Sequence, residues 1–257
     1  MPQIKVGVQI RPQHTTYADY EAAWLRAEDL GADSLWNWDH FFPLSGDPNG
    51  PHFEGWTTLA AIGPRTRRAT VGCLVLCMGY RNPAHLSQMA KTLDHATGGR
   101  LVLGLGAGWA ERDYNEYDYP FGTAGDRLRL LERGLAIIKD RWAKDPPPPV
   151  NGRDVPILIG GNGEKVTLRI VAQYADLWNG FGPLEQFKRK SAVLDEWCAK
   201  VGRDPAAIER TVRIDPPEFH LLDEYVAAGA THFICGGNAP FDFAELKELI
   251  AWRDARR

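Results

Sequence analysis

No apolar run in the sequence approaches 18 residues, which excludes a membrane-spanning helix. There is no CxxC pair, no HExxH and no P-loop, so the common zinc and nucleotide-phosphate signatures are missing. A large charge of either sign is also missing. The net charge of −3 implies no general attraction to nucleic acid or to an acidic membrane. The first residues, Met1-Pro2-Gln3-Ile4-Lys5, lack a basic region followed by a long apolar core and do not read as a secretory signal. The four cysteines, Cys73, Cys77, Cys198 and Cys235, are expected to be reduced, buried thiols of a cytoplasmic protein. What is present is ordinary for a globular chain: 44% hydrophobic and 25% charged residues over 257 positions, enough for one large domain. Nine tryptophans is a high count. Flat aromatic surfaces serve packing and stacking on a planar ligand alike, so the count alone decides nothing.

Short β-branched or apolar runs alternate with longer helical patterns. The first strand reads Ile4 to Ile10, and a helix follows over Tyr17 to Leu30, stopped by Gly31. The second strand is Ser34 to Trp38, the third Thr70 to about Leu76, the fourth Leu101 to Gly106. Asn82-Pro83 opens a helix reaching Ala96. Leu128, Leu131, Leu135, Ile138 and Trp142 form one apolar stripe, so a helix is predicted over Asp126 to Trp142. The fifth strand is Val155 to Gly160, the sixth Asp176 to Asn179, the seventh Arg210 to Ile214 and the eighth His232 to Cys235, with a last helix from near Phe241. Strict alternation implies parallel strands with right-handed crossovers. Eight units at this length predict one closed (β/α)₈ TIM barrel spanning residues 1–257, with a doubly wound open sheet as the rival. The Pro-rich stretch Pro146–Pro149 is read as a stiff connector inside that domain, because the alternation continues through it.

Several motifs then fall in a telling order. Asp39-His40-Phe41-Phe42-Pro43 follows the second strand and Tyr80-Arg81-Asn82-Pro83 the third. Gly98-Gly99-Arg100-Leu101 opens the fourth, which ends in Gly104-Leu105-Gly106-Ala107-Gly108-Trp109. Tyr119-Pro120-Phe121-Gly122 comes next, and Pro156 to Lys165 precedes Tyr174-Ala175-Asp176-Leu177-Trp178-Asn179. Over residues 4 to 182 this pattern resembles the luciferase-like monooxygenase superfamily, and most closely its branch using the deazaflavin coenzyme F420. The interval Ala143 to Val155 is shorter than the insertion such relatives carry, so a shortened lid is expected.

The motifs sit at the C-terminal ends of strands, where barrels of this kind build their sites. The resemblance implies that Asp39 and His40 lie against the cofactor ring. A histidine there can exchange protons near neutrality, with the adjacent carboxylate fixing its tautomer. The bland alternative is a histidine satisfied by a loop carbonyl. Gly160, Gly161, Asn162 and Gly163 lead into a helix. Glycines let the backbone approach an anion, and the helix start presents free N–H groups, so a cofactor phosphate is expected there. The rival is a plain strand-to-helix turn. Gly106, Ala107 and Gly108 make room for a bulky ligand, with Trp109 stacking on it or packing as core. In sugar-phosphate-oxidising relatives a carboxylate occupies the Trp109 position, and its absence argues against that substrate class. The resemblance also implies a non-proline cis peptide at Cys73-Leu74, bulging behind the ring, against the alternative of a regular buried strand. Trp178 is placed with the cofactor set. Trp36 and Trp38 share a strand face and either meet the cofactor or fill the barrel. Arg112, Arg127, Lys165 and Arg169 are cations near the phosphate end, although solvated helix faces account for each one singly.

The expected activity is hydride transfer between F420 and a small organic substrate, with His40 handling the proton. An FMN-dependent monooxygenase and a non-catalytic flavin-binding homologue are the alternatives. A homodimer is expected from the apolar early helices carrying Trp24, Leu25 and Trp56.

Overall fold

A computed structural model describes residues 3–256; Met1 and Pro2 of the start sequence lie outside them. The strands are β1 (Lys5–Ile10), β2 (Ser34–Asn37), β3 (Thr70–Cys73), β4 (Leu76–Cys77), β5 (Leu101–Gly106), β6 (Ile157–Gly160), β7 (Leu177–Gly180), β8 (Glu209–Arg213) and β9 (His232–Gly237). All pair in parallel, in the order β3-β2-β1-β9-β8-β7-β6-β5-β4, and β3 also pairs with β5. That extra pairing closes the sheet. β3 and β4 are one strand interrupted at Leu74-Val75, so the result is the expected eight-stranded parallel barrel rather than an open sheet.

The helices are α1 (Tyr17–Asp29), α2 (Gly55–Ile62), α3 (Pro83–Ala96), α4 (Glu111–Glu116), α5 (Ala124–Lys144), α6 (Thr167–Tyr174), α7 (Leu184–Val201), α8 (Leu222–Ala227) and α9 (Ala244–Asp254). Local chemistry sets their ends. Asn82 accepts from the Ala84 and His85 N–H groups ahead of Pro83 at the first turn of α3. Thr123 and Asp126 form a capping box on α5. Gly202 ends α7 in the left-handed region, at φ 72°. α4 is absent from the sequence reading, since six residues are too few to show periodicity. The last helix begins at Ala244 rather than Phe241, because Phe241 and Phe243 turn into left-handed conformations before it.

Two apolar layers hold the barrel. Between sheet and helices lies the main core, which includes Trp24 and Trp56. Inside the barrel Trp36, Leu74, Val102, Leu158, Leu177 and Ile234 pack together with Val75. Trp36 therefore fills the barrel. Trp24 is fully buried and Trp56 nearly so, so neither supplies the dimer face expected of them. All four cysteines are free and buried. Among the described residues no helix is long and apolar enough to cross a membrane.

Candidate active site

A cavity of about 390 Å³ opens at the C-terminal ends of the strands. Its floor is the break between β3 and β4. The peptide Leu74-Val75 is cis, one residue beyond the expected Cys73-Leu74 position. Cys73 stays in regular pairing with Asn37 and is absent from the lining, whereas Leu74, Val75, Leu76 and Cys77 form it. The protrusion has room because its neighbours lack side chains. A Cβ on Gly104 would overlap the Cys73 carbonyl, and one on Gly106 or Gly160 would come within 2.7 or 3.1 Å of the Val75 methyl groups. Buried Gln9 donates to the Leu74 carbonyl at 2.7 Å. The Leu74 N–H donates to the Asn37 carbonyl at 2.9 Å.

Asp39 and His40 follow β2 and both line the cavity, but their roles diverge. The Asp39 carboxylate accepts from Arg81 Nη1 at 2.6 Å, Arg81 Nη2 at 2.8 Å and the Cys77 N–H at 2.8 Å. Arg81 Nη2 also donates to Glu54 at 2.8 Å. Asp39 is thus an anchor that ties the β2 end to the β4 end. The carboxylate that orients His40 is a different one: Nδ1 lies 2.6 Å from Asp113 Oδ2. Asp113 is buried on α4, where it also accepts from the Phe41 N–H at 3.2 Å and from Tyr80 Oη at 3.4 Å. The expectation that adjacent Asp39 fixes the tautomer is corrected accordingly. Trp38 and Trp109 meet the imidazole edge-on, at 5.7 and 5.4 Å. On the far side of Trp38, burial and then the field of His40 push His52 down to about 4. A neutral His52 suits its role as acceptor of the Trp38 Nε1–H at 2.9 Å.

Gly106, Ala107, Gly108 and Trp109 form one wall. Gly108 has φ +82°, and a Cβ there would overlap Tyr114 Oη and Cys77 Sγ. Trp109 is 67% exposed, which makes it a rim residue rather than core. Burial pushes the Cys77 thiol up to about 11, so it serves as an apolar wall atom and not as a nucleophile.

Beside that wall, at the end of the paired strand β6, Gly160 and Gly161 line the cavity, while Asn162 and Gly163 are absent from the lining. Gly161 has φ +134°, open to glycine and strained for other residues. Trp178 is not in the lining. Its Nε1–H donates to the Gly161 carbonyl at 2.9 Å, and its ring stacks on Phe187, so it shapes the glycine loop from below. Asn162 donates to the Phe181 carbonyl at 2.6 Å, and its Oδ1 is buried without a hydrogen-bond partner among the described residues. α6 begins beside this loop without a side-chain cap. Three of the four expected cations are engaged elsewhere. Arg112 holds Pro48 and Asn49, Arg127 the carbonyls of Gly108, Phe121 and Gly122, and Arg169 holds Glu132. Lys165 is exposed. Gln9, Asp113 and Arg213 carry no local sequence signal: Gln9 reaches Leu74 and Asp113 reaches His40 across long chain separations, and Arg213 enters the cavity from the end of β8. The Tyr80-Arg81-Asn82-Pro83 motif likewise does not disclose that Arg81 pairs with Asp39.

The family model described as luciferase-like monooxygenase matches residues 3–216. The chain is 29% identical over 144 residues to an F420-dependent glucose-6-phosphate dehydrogenase of Amycolatopsis mediterranei (strain U-32), covering 55% of this chain and 43% of that one. It is 34% identical over 185 residues to a phthiodiolone/phenolphthiodiolone dimycocerosates ketoreductase of Mycobacterium sp. (strain JLS), covering 63% and 47%. The chain spans about half the length of the curated relatives it matches. Its fold is similar to that of an F420-dependent secondary alcohol dehydrogenase solved with an F420-acetone adduct. That likeness has TM-score 0.84 at 18% identity, over 97% of this chain and 98% of that one.

Proposed function

This chain belongs to the luciferase-like monooxygenase family, and from that membership we propose that it is an F420-dependent oxidoreductase acting on a small organic substrate within one barrel domain. The observation that carries the reading is the part-buried His40–Asp113 pair at the edge of a glycine-walled slot. The names of the F420-dependent relatives support the choice of cofactor.

The residues present fit such a group. A planar ring has a floor at Leu74 and Val75 and a wall without side chains at Gly106 and Gly160. Gly161 offers backbone to a phosphate, next to the uncapped start of α6. When bound, F420 supplies hydride chemistry at its C5 carbon. The chain's own part is to hold the substrate and manage one proton. With Nδ1 engaged by Asp113, His40 exchanges that proton through Nε2. Asp113 sets the tautomer and keeps the ring facing the slot. Asp39, spent on Arg81 and Cys77, holds the frame and takes no proton.

His40→Ala tests the reading. F420-dependent turnover of a panel of small ketones, imines and enones should fall by about 10²–10⁴-fold, with F420 affinity within a few-fold of the unaltered chain. If affinity falls first and turnover at saturating F420 is preserved, His40 serves only to bind the ring. FMN-dependent monooxygenation is the second reading. It is favoured by the fold likeness to a diketocamphane monooxygenase of Pseudomonas putida solved with FMN, at TM-score 0.65. A homodimer and a cytoplasmic setting, where the four thiols stay reduced, belong to the same proposal. The dimer surface must lie away from Trp24 and Trp56.

A further inference from the structure

We propose that Arg11 and Arg213 form an oxyanion subsite of the substrate pocket, holding a carboxylate or phosphate of the substrate above Gly236. Arg213 closes β8 and lines the cavity; Arg11 follows β1. Their guanidinium groups converge over β9, where an added Cβ on Gly236 would lie 2.8 Å from Arg213 Nη2 and 3.4 Å from Arg11 Nη2. A side chain at 236 would fill the space that the two cations share.

Two like charges facing one gap repel unless something negative lies between or beside them. Each cation has partial compensation, directed away from the gap. Arg213 Nη1 pairs with exposed Asp215 at 2.7 Å and donates to the Ile214 carbonyl at 2.6 Å. Arg11 Nη1 donates to Asn238 Oδ1 at 2.9 Å, and its plane lies over Trp38 at 5.3 Å. Arg11 Nε is buried and has no hydrogen-bond partner among the described residues. Burial, and next the field of Arg213, lowers Arg11 from its ordinary value. Glu245 is the other nearby acid, and burial raises it, so it is a poorer counter-ion than an ordinary carboxylate. Arg213 at the cavity and Arg11 beside it over Gly236 thus present two forked donors with unsatisfied capacity, the geometry that a carboxylate or phosphate accepts.

The subsite is close to the chemistry. Trp38 lies under Arg11 on one side and meets the His40 ring edge-on at 5.7 Å. An anionic group held there leaves the adjoining carbon of a short substrate within reach of His40 and the glycine-walled slot. The substrate class that follows is a small organic acid or phosphate ester whose oxidised or reduced carbon lies a few bonds from its anion. This assignment rests on the redox reading of the cavity.

Calorimetric titration with inorganic phosphate and with succinate tests it, on the F420-loaded and on the cofactor-free protein. Saturable binding of at least one anion is expected. Arg213→Gln and Arg11→Gln should each weaken it about tenfold or more, as expected for a lost charge-assisted bond. F420 affinity should change less than about threefold. Gly236→Ala keeps both charges and a permitted backbone, and should also weaken the anion by crowding the gap. Anion binding that is absent, or that withstands all three substitutions in folded protein, overturns the subsite. So does a loss of F420 affinity that matches or exceeds the loss of anion, because the pair would then serve the cofactor's acidic tail. If F420 fails to bind the unaltered chain, the redox reading falls. The cofactor-free titrations still decide the subsite.

Discussion

The imidazole of His40 and the carboxylate of Asp113 meet at 2.6 Å, Nδ1 to Oδ2, across 73 residues of chain. Asp113 is buried and takes two further donors, so the pair is a fixed unit rather than a chance surface contact. Asp113→Asn keeps the shape and alters the proton pattern on Nδ1. Turnover should fall by about tenfold or more, within the range a positioned general acid or base contributes. F420 affinity should hold, and Asp113→Glu should recover part of the rate. Equal losses of affinity and turnover would show that Asp113 only supports the loop.

Arg81 and Asp39 form a bidentate pair in which Asp39 is almost wholly buried. Removing the cation leaves an uncompensated carboxylate. Arg81→Met should therefore cost about 3–5 kcal/mol in urea unfolding. A loss under about 1 kcal/mol would mean that water reaches Asp39.

Gly108→Ala places a methyl against Tyr114 and Cys77 at φ +82°. Crowding and backbone strain together should destabilise the fold by about 2–4 kcal/mol, read by denaturant midpoint. Unchanged stability would show that the Tyr114 ring can step aside.

At the opposite end of the barrel Lys5 pairs with Glu209 at 2.8 Å. His232 Nδ1 lies 3.2 Å from the same carboxylate. Burial alone would raise Glu209, but His232 and Lys5 outweigh it and bring the group down to about 2. A depressed carboxyl stabilises the fold above its unfolded value and loses that contribution as pH falls through the folded one. The loss should run from about pH 4.5 to about pH 2 and amount to about 3 kcal/mol. Stability measured against pH should lose this limb in Glu209→Gln. An unaltered acid limb would assign it to other groups.

Much of the fold was legible because the barrel strands are short buried apolar runs and the helices carry visible caps. Gly31 and Asn82-Pro83 mark helix ends by local chemistry, and the apolar stripe marks the body of α5. Of the glycines the sequence singles out, Gly106, Gly108, Gly160 and Gly161 line the cavity and Gly163 does not. Partners across space were not legible. Asp113 sits in a six-residue helix with no periodicity, and nothing adjacent in sequence ties it to His40. Asp39 stands next to His40 in the chain, yet its carboxylate turns to Arg81. The early tryptophans looked like interface residues because composition cannot tell a core face from an exposed one. The break in the third strand falls at Leu74-Val75 because Gly104, Gly106 and Gly160 clear space there, a fact spread over two other strands.

Binding of F420 in this cavity is read by titrating tryptophan fluorescence with F420 and with FMN. Trp38 and Trp109 flank His40 at the cavity, so a ring bound there should quench strongly. The expected result is saturable quenching by F420, with FMN weaker by about tenfold or more and Gly161→Ala weakening F420 by at least that factor. Tighter binding of FMN, or no saturable response to F420, would contradict it.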